Sequence, residues 1–316
     1  MQFGIQIEPA FGFSFDDVVE IARDAESRGF TGLWVSDHFF LRNDATTTNC
    51  LEAWTLLAGL AQHTTTLRLG PMVTAVSYRN PALLAKIAAG VDVMSGGRLE
   101  FGIGAGWKEP EYRAYGYEFP PPEVRLDQMV DAIEICRRMW TEERATYAGK
   151  YFRIENAPCA PKPLQRPRPR VWIGGNRPRM RRVMARYADA VNIGGPGFDG
   201  TLESYGAAMK DLDEACRVSG RDPRQILRSH FVSCIVAETR RDLDAVIDEL
   251  AADEKTTADR WRSAHPSAIA GTPDDVIARL RAFEKVGCGY FLAVFPYRRE
   301  REMLGVLAEH VIPALA

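Results

Sequence analysis

Residues 31–40 read TGLWVSDHFF, and their reading decides the fold. Gly32 to Val35 form a short apolar run without polar alternation, which suits a strand covered on both faces. Ser36, Asp37 and His38 break that run abruptly. Polar groups at the carboxyl end of a parallel strand point into the crevice where α/β enzymes work. These ten residues alone leave two readings open. Asp37 caps a turn and His38 is a core histidine, or the pair carries chemistry.

Working outward, strands and helices alternate. Residues 3–7 read as a strand. Ser14, with Asp17 three positions on, opens a helix that stops at Gly29. After the central stretch, a helix is expected over 51–63 and a strand over 67–75. Pro71 is unusual there because proline donates no ladder hydrogen bond. Asn80-Pro81 opens the next helix. A strand over 98–103 runs into Gly104, Ala105, Gly106 and Trp107, and a helix over 124–140 follows. Further strands are expected over 170–173, 190–193, 226–237 and 290–295, with helices between them. Thr272-Pro273-Asp274-Asp275 opens one of these, with threonine, proline and acid each in a favoured position. A last helix covers 299–315. Eight such units predict an α/β fold, a closed (β/α)8 TIM barrel in one domain, 1–316. Irregular insertions are expected at about 108–122, 141–169 (five prolines, with a hairpin near Tyr147–Tyr151) and 253–271.

The net charge of −2 gives no electrostatic reason to expect nucleic acid or an anionic membrane as partner. No window is apolar for long enough to span a bilayer. The opening MQFGIQIEP lacks a basic segment followed by an apolar one, so no signal peptide is expected and a cytoplasmic location is. Six scattered cysteines form no C-x-x-C pair, which fits reduced thiols.

Glycines recur where strands end, at 102–106, 174–175 and 194–195. Such turns let backbone N–H groups approach an anion. GIGAGW has Trp107 where a dinucleotide fingerprint needs its last glycine. Lys162 and eight arginines crowd residues 162–186, as a solvated face or as an anion-collecting rim beside Gly174-Gly175. Of five histidines, only His38 and His230 stand where a barrel hydrolase would place metal ligands. H-x-H and H-E-x-x-H are missing, so no metal is expected, and without a Gly-x-Ser-x-Gly elbow a serine hydrolase is not expected either.

Several longer stretches then become recognisable: WVSDHFF at 34–40, LRLGPMVTAVSYRNP at 67–81, SGGRLEFGIGAGWKEPEYRAYG at 95–116, TEERATYAGKYF at 141–152, VWIGGN at 171–176, ARYADAVNI at 185–193 and GTPDDV at 271–276. In this order they resemble the bacterial-luciferase-like family of flavin and deazaflavin oxidoreductases, in its coenzyme F420-dependent branch. The resemblance implies a barrel with the cofactor ring across its C-terminal mouth. It also implies a homodimer, a small-molecule substrate and a separate reductase for the cofactor. Met72 and Val73 match a bulge behind the ring that often carries a non-prolyl cis peptide; Thr74 follows it. Gly104, Ala105, Gly106 and Tyr112 would lie by the ring or its side chain, and Gly174, Gly175 and Asn176 match the phosphate-binding turn. Asp37 and His38 match the catalytic pair, with His38 moving a proton and Asp37 orienting it or bonding the ring. Trp107 and Trp34 would shape the substrate side. Trp107 stands where sugar-phosphate dehydrogenases of the family have glutamate, which argues against that substrate. The implied activity is hydride transfer between coenzyme F420 and an organic substrate. The alternatives are an FMN-dependent two-component monooxygenase and a non-catalytic flavin-binding relative.

Overall fold

The computed structural model describes residues 1–194 and 198–315. Gly195, in the last of the glycine pairs, lies outside the described residues. The strands are β1 (Gln2–Ile7), β2 (Gly32–Val35), β3 (Arg68–Pro71), β4 (Thr74–Ala75), β5 (Glu100–Gly104), β6 (Arg144–Ala148), β7 (Arg153–Pro158), β8 (Arg170–Gly174), β9 (Ala190–Ile193), β10 (Leu227–Val236), β11 (Ile269–Gly271) and β12 (Tyr290–Val294). Eight positions close a parallel barrel in the order β1, β2, β3/β4, β5, β8, β9, β10, β12, with β12 pairing back to β1. The strand expected over 67–75 is two pieces. β3 pairs with β2 and is bridged from Leu69 to Leu99, the residue before β5, while β4 pairs with β5 alone. The break falls at Met72-Val73, whose peptide bond is cis.

Helices cover the outside because each strand's outward residues are apolar. Ile5, Leu33, Leu69, Phe101 and Val171 join the helices in one large buried cluster. The first helix, Phe15–Ser27, begins as its sequence predicts: the Ser14 amide donates to Asp17 and the Asp17 amide donates to Ser14 Oγ. Such a box contributes about 1 kcal/mol.

The barrel's lower interior is filled with aromatic rings. Trp34, Trp172 and Tyr290 meet edge to face, with Trp34 and Trp172 centroids 4.5 Å apart. Trp34 Nε1 donates to the Tyr290 hydroxyl at 3.1 Å. Trp172 Nε1 donates at 2.6 Å to Glu100, which Arg68 and Arg170 also hold. Glycines on neighbouring strands make the room: a Cβ on Gly4 would lie 2.2 Å from the Tyr290 oxygen, and one on Gly70 2.8 Å from the Trp34 ring. Trp34, expected on the substrate side, is placed by the structure in the barrel floor, 1% exposed. Both faces of a barrel strand are buried, so apolar character alone does not say at which height a side chain sits.

All three stretches read as irregular contain ordered elements. Residues 108–122 hold the helix Glu109–Ala114. Within 141–169, β6 and β7 form an antiparallel hairpin, clasped by Asp131 through the amides of Tyr151 and Phe152 and the Tyr147 hydroxyl. Residues 253–271 hold the helix Ala258–Ala264 and β11. β11 forms because the ten-residue β10 outruns the barrel and leaves Cys234–Val236 to be paired.

Candidate active site

β1, β2 and β5 deliver the residues of the mouth. Beyond β1 comes Glu8, beyond β2 Ser36, Asp37 and His38, and beyond β5 Ala105, Gly106 and Trp107.

Asp37 and His38 point to different partners. Asp37 is 5% exposed. It accepts from the Thr74 hydroxyl at 2.7 Å, the Ala75 amide at 3.1 Å, and Arg79 at 2.7 and 2.9 Å. Arg79 is shared with Glu52. Asp37 is thus occupied in tying the loop after β2 to β4, and it does not orient His38. Thr74 is equally occupied: its hydroxyl also accepts from Trp54 Nε1 at 3.1 Å and from Arg79 at 3.1 Å.

His38 is held by a residue that sequence reading passes over. Its Nδ1 lies 2.9 Å from Oε2 of Glu111. Glu111 is fully buried. Its carboxylate also takes the amides of Phe39 and Phe40, at 2.8 and 3.1 Å, and the Tyr78 hydroxyl at 2.8 Å. Burial opposes ionisation of Glu111, but His38 and these donors outweigh it and lower its pKa. Burial likewise works against charging His38, yet the Glu111 hydrogen bond and the charges of Glu8 and Glu111 raise its pKa above the ordinary value. Glu8 accepts from Ser36 Oγ, and burial raises its own pKa. The signal for Glu111 was Glu109-Pro110-Glu111, acids flanking a proline as in a helix start.

Lys108 fixes the other side of the loop. Its ammonium donates to the carbonyls of Phe40 and Leu41, and sits 4.5 Å above the Phe40 ring. The Cys50 thiol donates to the His38 carbonyl at 3.1 Å, and burial pushes its pKa up to about 12. Trp107 stands edge-on to the His38 ring at 5.5 Å and is 53% exposed.

The inward positions near the ends of β5 and β8 are glycines, Gly102, Gly104 and Gly174. Val73 is driven against them: Cβ atoms on Gly102, Gly104 and Gly174 would lie 3.4, 2.4 and 3.0 Å from its methyl carbons. Met72 joins the floor cluster below. Tyr112 is buried in a hydrophobic cluster with Tyr78 and Ala75, beneath Gly106. Its side chain is fully buried there. Gly174, Gly175 and Asn176 are half-buried and lead into the helix Pro178–Tyr187, with Arg177 and Arg179 exposed at its start. The arginine-rich stretch is split by β8. Arg168 and Arg170 lie at the opposite end of the barrel, paired with Asp189 and Glu100, so only the residues after β8 can form a rim at the mouth. His230 faces outward, packed between Tyr205 and Phe283, and burial pushes its pKa down to about 4. It is a neutral core histidine.

A closed parallel barrel with a buried acid holding a part-exposed histidine at its C-terminal mouth is an enzyme architecture of the (β/α)8 class. The chain belongs to the luciferase-like monooxygenase family, whose sequence profile matches residues 1–289. It is 26% identical to the F420-dependent glucose-6-phosphate dehydrogenase of Amycolatopsis mediterranei, over 95% of this chain and 94% of that one. It is 28% identical to the 5,10-methylenetetrahydromethanopterin reductase of Archaeoglobus fulgidus over the full length of both. The fold matches that of the coenzyme F420 dependent tetrahydromethanopterin reductase of Methanopyrus kandleri with a TM-score of 0.81, at 18% identity, across 100% of this chain and 99% of that one. Among the described residues, no helix is long and apolar enough to cross a membrane.

Proposed function

We propose that the protein is an oxidoreductase that binds coenzyme F420 at the C-terminal mouth of the barrel and exchanges a hydride between it and a small organic substrate. The observation that carries this reading is the mouth itself: beyond β2, His38 is held by Glu111, and in β5 and β8 Gly102, Gly104 and Gly174 make a wall without side chains against which Val73 packs. Such a wall is flat and apolar, which fits one face of a planar ring. Gly174, Gly175 and Asn176, at the start of the helix Pro178–Tyr187, fit a phosphate-bearing side chain, because helix N-termini offer free N–H groups to anions. When bound, the deazaflavin supplies a two-electron hydride carrier at its C5 position.

The chain's own residues do the rest. His38 donates or accepts a proton on the substrate at Nε2. Its raised pKa keeps a useful fraction protonated near neutrality. Trp107 supplies an apolar face where a sugar-phosphate enzyme of this family has glutamate, so the proposed substrate is not a sugar phosphate but a less polar carbonyl or alcohol. A homodimer and a separate reductase for the cofactor complete the proposal.

Titration of the purified protein with coenzyme F420 and with FMN, read by fluorescence, tests it. Saturable binding of the deazaflavin in the micromolar range, with FMN at least about tenfold weaker, is the expected outcome. Micromolar FMN binding with none for the deazaflavin overturns the reading in favour of a flavin monooxygenase.

A further inference from the structure

We propose that Glu111 is a positioning residue for proton transfer: its carboxylate fixes His38 in the Nδ1–H tautomer and leaves Nε2 as the ring atom that exchanges a proton with substrate. This rests on the reading of His38 as the proton carrier.

The argument begins with the donor count at one carboxylate. Glu111 takes His38 Nδ1, two consecutive backbone amides and the Tyr78 hydroxyl. An ionised carboxylate only accepts hydrogen bonds, so the ring nitrogen facing it must carry a hydrogen. A neutral imidazole has one N–H, and this geometry assigns it to Nδ1. Among the described residues Nε2 has no hydrogen-bond partner, and the side chain keeps 16% of its surface exposed.

The same carboxylate also sets where the ring sits. The amides it holds belong to Phe39 and Phe40, the residues directly after the histidine. Lys108 pins the next carbonyls from the other side. Phe39 stacks on Tyr78 at 4.5 Å, and Tyr78 in turn donates to Glu111. The ring is therefore held through its own nitrogen, its following backbone and its neighbouring side chain by one buried group.

The charges around the ring come from every element packed on it. Glu8 after β1, Glu111 in the helix Glu109–Ala114 and Lys108 before it all act on His38, the two acids favouring its protonated form and the lysine opposing it. Cys50 stays protonated, and Asp37 is engaged by Arg79. Glu111 is the only one of these groups with a direct hydrogen bond to the ring among the described residues.

Glutamine at this position separates charge from shape. Its carbonyl can still accept the amides of Phe39 and Phe40. Its NH2 group then faces Nδ1, which must become an acceptor, and the proton moves to Nε2.

The test is nitrogen-15 NMR of the histidine rings in cofactor-free protein. The chain has five histidines, and the His38 signal is the one lost in His38→Gln. Above its titration, wild-type His38 is expected to show the proton on Nδ1. In Glu111→Gln the proton moves to Nε2 and the proton affinity falls about tenfold. The Kd for coenzyme F420 stays within about threefold in that variant, and once a substrate is in hand its turnover falls about a hundredfold. Glu111→Asp, which keeps the charge, recovers part of the loss. A wild-type ring carrying its proton on Nε2 overturns the proposal without any variant. So does a Glu111→Gln protein whose tautomer and titration are unchanged. If His38→Ala turns over normally, the proton-carrier reading fails, while the tautomer result still stands on its own measurement.

Discussion

Asp37 and Arg79 meet in a two-point ion pair, Nη1 to Oδ2 at 2.7 Å and Nη2 to Oδ1 at 2.9 Å, with side-chain exposures of 2% and 10%. The neighbouring His38 points instead at Glu111, so two adjacent residues at one strand end serve different purposes. Removing one partner of a buried pair leaves the other charge without compensation. Asp37→Ala should therefore cost about 3–5 kcal/mol in urea denaturation. A cost below about 1 kcal/mol would show that the pair is effectively solvated.

Trp107 offers the opposite case. It is half exposed, and its main described ring contact is the edge of His38. Trp107→Ala should leave stability within about 0.5 kcal/mol, as exposed substitutions do. Once a substrate is in hand, its KM should rise about tenfold, equal to about 1.4 kcal/mol. An unchanged KM would remove Trp107 from the substrate side.

Val73 and Gly104 should behave as a coupled pair. A Cβ at Gly104 would lie 2.4 Å from a Val73 methyl carbon. Gly104→Ala alone should cost about 1–3 kcal/mol by overpacking. Adding Val73→Ala opens the space, so the double variant should be more stable than the sum of the singles by about 0.5–3 kcal/mol. Additive thermal-melt values would contradict this account of the wall.

Glu26 gives a pH signature far from the mouth. Partial burial opposes its ionisation, but the amides of Thr66, Leu67 and Thr65 and the Thr66 hydroxyl converge on it and lower its pKa from 4.5 to about 2. The folded-state value lies below the unfolded one. Its stabilising contribution is therefore complete above pH 4.5 and is lost as pH falls toward about 2. Glu26→Gln should flatten the stability profile across that window, measured by denaturant midpoints. A profile as steep as wild type would rule Glu26 out as the source.

The barrel was legible because its signals are local. Short apolar runs, Ser14 and Thr272 capping sequences and strand-end glycines each declare themselves within a few residues. The position of His38 at a strand's carboxyl end followed from the same pattern. What holds His38 did not, since Glu111 lies 73 positions later and belongs to a six-residue helix inside a proline- and tyrosine-bearing stretch. Nor could the commitment of Asp37 be read, because Arg79 is 42 positions away. The arginine-rich stretch left two readings open because one strand, β8, carries its two halves to opposite ends of the barrel. A linear cluster becomes a spatial one only where the chain does not cross the fold between its members.

Cys50 supplies an internal clock for the mouth. Five of the six thiols are fully buried, and Cys50 alone is part-exposed, donating to the carbonyl of His38. Its high pKa makes it slow toward electrophiles in this arrangement. Labelling of one thiol per chain would then report exposure of Cys50 beside His38, whereas labelling of all six would time unfolding of the whole barrel. Ligands that settle in the mouth would be seen as a slowing of the first rate without any change in the second.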